Sequence, residues 1–75
     1  MADEAILARI NELVDEENEL RKGDHVEVHE RLVHVEETLD QLWDLLRQRR
    51  ALREFGKDPA DAEVRTVEVV EHYRQ

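Results

Sequence analysis

The chain has 75 residues, a net charge of −9 and an isoelectric point near 4.8, with two glycines, one proline and no cysteine. A chain this short buries a thin core and leans on helix packing, a metal, disulfides or self-association; without cysteine, disulfides, thiolate nucleophiles and cysteine metal sites are all excluded. Its acidity sets it against phosphate backbones and anionic membrane surfaces, and no apolar run approaches the ~20 residues of a membrane span.

Residues 3–22 predict an amphipathic helix. Ile6, Ile10, Leu13 and Leu20 keep the alternating four- and three-residue spacing of a buried seam, and Leu7 and Val14 widen it on one side. Glu17 is the one polar seam position, for which Arg31 or an arginine of a second copy is the expected partner. Asp3 and Glu4 stand at the positive end of the helix dipole, Arg21 and Lys22 at the negative end. Gly23 reads as a C-terminal stop, and Asp24 with Glu27 as a capping box for the next helix. So short a connection folds the second helix back antiparallel.

That second helix is expected over residues 25–55. Val28, Leu32, Val35, Leu39, Leu42 and Leu46 hold the rhythm unbroken, and the next beats fall on Arg49 and Arg53. In such a hairpin, facing residues have numbers summing to roughly 48, which pairs Leu20 with Val28, Leu13 with Val35 and Ile6 with Leu42. The second helix is ~45 Å long against ~30 Å for the first. Leu46, Leu52 and Phe55 therefore lack a partner within the hairpin and need the C-terminal arm, a second copy or another protein to cover them. Gly56 ends the helix, and Asp58, Pro59 and Asp61 form the cap and first turn of a short helix. The valine-rich end is compatible with a strand-like arm or a short helix. The expected fold is all-α: an antiparallel helical hairpin (residues 1–56) with a short C-terminal arm (57–75), self-associating as a four-helix bundle of coiled-coil character.

Three segments carry a resemblance. ILARINELVDEENELR (residues 6–21), LDQLWDLLRQRRALREFGKDPADAEVR (39–65) and VEVVEHY (67–73) resemble a family of short actinobacterial proteins known only as a domain of unknown function. The match spans almost the whole chain and departs from the family pattern over residues 23–34. It implies a small helical, cytoplasmic bacterial protein and brings no catalytic residue, substrate or cofactor.

Few residues offer chemistry. His25 and His29 share a helix face and supply half a metal site, but HExxH and the Glu-x-x-His pairs of di-iron bundles are absent, so solvated histidines and no metal are expected. Serine is missing and Thr38 and Thr66 lie far apart, leaving no material for a nucleophilic triad or a phosphate loop. Asp15, Glu16, Glu17 and Glu19 read as a solvated acidic run without a cleft. No catalytic residue, no cofactor and no enzymatic activity are expected.

Charge is unevenly spread. Residues 1–46 hold 14 acidic and 4 basic side chains, whereas residues 47–57 hold 5 basic and 1 acidic. Arg47, Arg49, Arg50 and Arg53 either neutralise acids of the same molecule or of its dimer mate, or they bind an acidic protein; the acidity of the whole argues against nucleic acid. Trp43, beside the seam, reads as an anchor of the core or of an interface. The expected interaction residues are Trp43, Leu46, Arg47, Arg49, Arg50, Leu52, Arg53 and Phe55. The start, MADE, has no cationic leader, so a cytoplasmic protein that touches no membrane is expected. The leading reading is a structural or interaction module that forms a homodimer. The alternative is a nucleic-acid- or ribosome-associated regulator using Arg47, Arg49, Arg50, Arg53 and Lys57.

Overall fold

Apolar residues at helical spacing, with glycine at only two positions, leave the backbone little choice but helix. The computed structural model describes residues 2–23 and 26–74, and among them it contains helices and no strand. In chain order these are α1 (Asp3–Leu20), α2 (Val26–Glu54), one 3-10 turn (Pro59–Asp61) and α3 (Val67–Arg74). None of these helices is long and apolar enough to cross a membrane.

The two long helices pack along the seam expected from the spacing. Ile6, Ile10 and Leu13 of α1 and Val35, Leu39, Leu42 and Leu45 of α2 form the buried core, with Val14, Leu20, Leu46 and Ala62 packed partly against it. The register is visible in a cross-helix ion pair: Arg31 Nε donates to Glu16 Oε1 at 2.6 Å, and these numbers sum to 47, one less than the value the sequence suggests. That bond, from Arg31 first, holds the Glu16 carboxyl below its ordinary range. Arg31 pairs with Glu16 rather than with Glu17, which within the chain pairs with Arg21 one turn on, at 3.4 Å.

The two glycines do different work. At Gly56, φ is +72°, the left-handed region that L side chains avoid. The Lys57 N–H donates to the Leu52 carbonyl at 2.7 Å and the Gly56 N–H to the Arg53 carbonyl at 3.1 Å, the paired bonds of a Schellman cap. Gly23 lies just past the end of α1 at Leu20, as expected of a stop, and is not in that region. A Cβ there would meet both Val28 Cγ atoms at 3.2 and 3.3 Å, so a larger residue requires the Val28 side chain to give by a few tenths of an ångström. The capping box expected of Asp24 lies outside the described residues.

The C-terminal end is helical despite its valines. The Thr66 carbonyl accepts from the Val70 N–H at 3.1 Å, and its hydroxyl from the Val69 N–H at 3.4 Å, which starts the turn. Val70 is then fully buried, while Val69 faces outward. Asp58 caps the 3-10 turn through its Oδ1, which accepts from the Ala60 N–H at 2.9 Å. Among the described residues α1, the 3-10 turn and α3 all pack on α2, and α1 and α3 do not pack on each other. α2 is thus a spine with one attachment on each of two sides.

Replacing Gly56 with alanine forces a Cβ into the left-handed region at a cost of about 1 kcal/mol. In a domain of this size that lowers the melting temperature by about 4–8 °C. Thermal denaturation followed by circular dichroism checks it.

Candidate interaction site around Trp43

At 100° per residue, α2 between residues 35 and 53 divides into three stripes. The first faces α1 and carries Val35, Leu39, Leu42, Leu46, Arg49 and Arg53. The second faces the C-terminal arm and carries Gln41, Asp44, Leu45 and Gln48. The third carries Glu36, Asp40, Trp43, Arg47 and Arg50.

The second stripe holds a polar clasp. Asp44 is only 2% exposed, and Arg65 grips it with two bonds: Nε to Oδ2 at 2.9 Å and Nη2 to Oδ1 at 2.8 Å. Gln48 Nε2 donates to the same carboxylate at 2.9 Å and to the Glu63 carbonyl at 2.6 Å, and its Oε1 accepts from the Glu63 N–H at 3.2 Å. Gln41 Nε2 donates to the Arg65 carbonyl at 3.0 Å. Helix side chains here do for an irregular strand of backbone what a neighbouring β-strand would do. Every buried side-chain nitrogen and oxygen among the described residues has a hydrogen-bond partner.

The first stripe ends in a second charge cluster. Asp3 accepts from Arg53 Nη2 at 2.7 Å and from Arg49 Nε, and Arg49 Nη1 also donates to the Pro59 carbonyl at 3.2 Å. The hydrogen bond from Arg53, then that from Arg49, with their charges, holds the Asp3 carboxyl at about 2 against the opposing effect of burial. The same bond raises Arg53 above its ordinary value. Arg49 is thus bound to its own chain: one residue ties together the start of α1, the spine and the 3-10 turn.

The third stripe leaves Trp43, Arg47 and Arg50 exposed, while Glu36 accepts from Arg21 Nη2 at 2.8 Å. Trp43 is 45% exposed and lies outside the core of the single chain; the buried position at this level is Leu45 instead. A depression on one side of Trp43 is lined by Asp3, Leu46, Arg47, Arg50 and Arg53. A depression on its other side is lined by Val14, Glu17, Arg21, Glu36, Leu39 and Asp40. Trp43 therefore separates a basic half of the groove from a mainly acidic one. Among the described residues Arg50 and Lys57 make no ion pair, and Arg47 reaches only Asp44, at 3.9 Å. Of the apolar residues expected to need cover, Leu46 packs partly on the core and Leu52 is half-buried, while Phe55 remains 80% exposed. His29 and His34 are exposed, His25 lies outside the described residues, and no cluster of three or more potential metal ligands occurs among those described.

The arm-facing clasp is absent from the sequence reading, which follows apolar spacing alone. Its signal is a polar repeat, Gln41, Asp44 and Gln48, at the same three- and four-residue interval on a face a bare hairpin would leave wet.

Residues 2–75 match the family model described as "Protein of unknown function (DUF2630)". The chain belongs to this family. Uncharacterised proteins of Mycobacterium bovis (Mb0922c) and Mycobacterium tuberculosis (Rv0898c) are each 48% identical to it, over 95% of this chain and 88% of the relative. No solved structure matches it. The resemblance carried by residues 6–21, 39–65 and 67–73 is therefore to the right family, and the names of these relatives assign no activity.

Two predictions test the clasps. Arg65→Ala strands a buried carboxylate, whereas Asp44→Ala leaves a guanidinium that water already reaches, so Arg65→Ala is the more destabilising. Its cost is about 3 kcal/mol, capped by the free energy of undocking the arm. Urea denaturation of the two variants measures the order. For Asp3 the folded pKa of about 2 lies below the unfolded value near 4. Its contribution is therefore complete above about pH 4 and is lost as the pH falls through about 2. Melting curves at pH 4, 3 and 2 should show a smaller acid loss for Asp3→Asn than for the parent.

Proposed function

We propose that this chain is a non-enzymatic helical interaction module that acts by self-association, as a dimer in which two hairpins form a four-helix bundle. The observation that supports this reading is the exposed Trp43 on the third stripe. A single chain leaves its one tryptophan 45% exposed, and Leu7, at 43% exposure, sits between Asp3 and Val14 on the neighbouring side of α1. An exposed aromatic side chain between two depressions rimmed by charge forms the pattern of an association surface: an aromatic anchor at the centre and a polar edge.

The size of the chain points the same way. Seven residues make the core between the two long helices, which is little to hold 75 residues together. Covering Trp43 and Leu7 with a second copy adds apolar burial that the monomer lacks, and a C2 contact is the commonest arrangement for such pairs. The basic cluster fits poorly with a phosphate surface, because Arg49 and Arg53 are already engaged by Asp3.

Light scattering at tens of micromolar should give about twice the 8.9 kDa chain mass. Trp43, the sole tryptophan, reports its own burial: its emission should move to longer wavelength as the protein is diluted. A monomer at high micromolar concentration, with emission independent of concentration, overturns the reading.

A further inference from the structure

The third stripe of α2 has a charge order that specifies how two copies would meet. Counting from Trp43, acids stand three and seven residues before it (Asp40 and Glu36), and arginines stand four and seven residues after it (Arg47 and Arg50). All five fall within an arc of about 80° on the helix. The flanking depressions repeat the order in balance, with Glu17 beside Arg21 on the acidic side and Arg53 beside Asp3 on the basic side; Glu36 is held by Arg21 at 2.8 Å, a contact that the pairing across the axis shares or replaces.

We propose that this stripe pairs with the same stripe of a second copy of the chain, antiparallel, about a twofold axis at Trp43. The inference rests on the self-association reading and adds its orientation and register. In an antiparallel pair centred on residue 43, facing numbers sum to about 86. Arg50 then faces Glu36 of the second copy, Arg47 faces Asp40, and each pairing occurs twice because the axis repeats it. The two indoles meet at the centre, beside Leu46. A parallel pair in the same register would set Glu36 against Glu36 and Arg50 against Arg50. Charge alone therefore selects the antiparallel arrangement.

Net charge narrows the choice further. Two molecules of −9 repel one another unless their contact brings opposite charges together. Residues 47–57 are the only basic block, so a close contact between copies has to lay that block on an acidic stretch of the partner. An axis at Trp43 does so for both copies at once. An acidic protein or a nucleic acid would match the arginine half and be repelled by Glu36 and Asp40. A surface with the same two-signed order matches the whole stripe, and a second copy supplies one. Rim pairs of this kind set orientation and partner choice, while the buried indoles and Leu46 supply the affinity.

The test uses charge reversal in the full chain, read by sedimentation and by Trp43 emission. Glu36→Arg with Asp40→Arg makes the stripe uniformly basic, and Arg47→Glu with Arg50→Glu makes it uniformly acidic. Each double variant should dimerise about tenfold or more weakly than the parent. All four changes in one chain leave the net charge at −9 and should restore the dimer. Fluorescently labelled parent and fourfold variant should each pair with themselves and fail to pair with each other. A parallel dimer predicts the opposite, preferential mixing, and would overturn the proposal. So would a parent dimer that both double variants leave unchanged; self-association would then stand, through another face. A monomeric parent overturns both readings. If a double variant loses helicity by circular dichroism, Glu36→Arg and Arg50→Glu are read singly and together, with weakening in each single variant and recovery in the pair as the expected result.

Discussion

The ion pair between Asp44 and Arg65 decides the shape of this molecule. A carboxylate that is 2% exposed sits on the side of α2 turned away from α1, where no apolar neighbour can compensate its lost hydration. It is tolerable only because a guanidinium from 21 residues later in the chain closes over it with two bonds. The arginine can reach it only if the chain leaves α2 at Gly56, turns back and runs along the helix. The left-handed glycine, the 3-10 turn and the extended residues before α3 all follow from that requirement. A buried ion pair of this sort adds little net stability compared with an apolar pair of the same volume. What it contributes is geometry: an arm placed one residue up or down the spine would leave a buried charge alone.

The same logic explains why a strongly acidic chain has a cluster of arginines. Asp3 is held by Arg53 and Arg49, so part of the cluster serves to tie the first residues of α1 to the far end of α2. The remaining cations of that block, Arg47, Arg50 and Lys57, are exposed. The cluster is thus two functional groups in one run of sequence, separated by the rotation of the helix. Arg49 and Arg50 are adjacent in the chain and face different worlds.

Reading the sequence by apolar periodicity works well where burial is apolar. The seam of Ile6, Ile10, Leu13, Val35, Leu39 and Leu42 and the antiparallel turn-back are visible from spacing, because a helix offers one way to align such residues. The same method fails on the second side of α2, since the residues that bind the arm there are a carboxylate and two amides, and polarity is ordinarily taken to mean solvent. Trp43, beside the seam, reads as an anchor of the core or of an interface; rotation by one residue from Leu42 carries it out of the single chain's core to the groove and leaves Leu45 on the interior. For the valines near the C-terminus, β-branching leaves strand and helix open; the Thr66 cap and the packing of Val70 decide for helix.

α1 and α3 each pack on the spine and not on each other, with Arg49 bridging Asp3 and the Pro59 carbonyl, so the molecule has two openings of different cost. Releasing α1 exposes most of the core and amounts to unfolding the protein. Releasing residues 57–74 exposes Asp44, Leu45 and Val70 and leaves the Ile6–Leu42 seam closed. The arm is therefore a separate cooperative unit of the kind that amide exchange resolves, with protection below that of the hairpin.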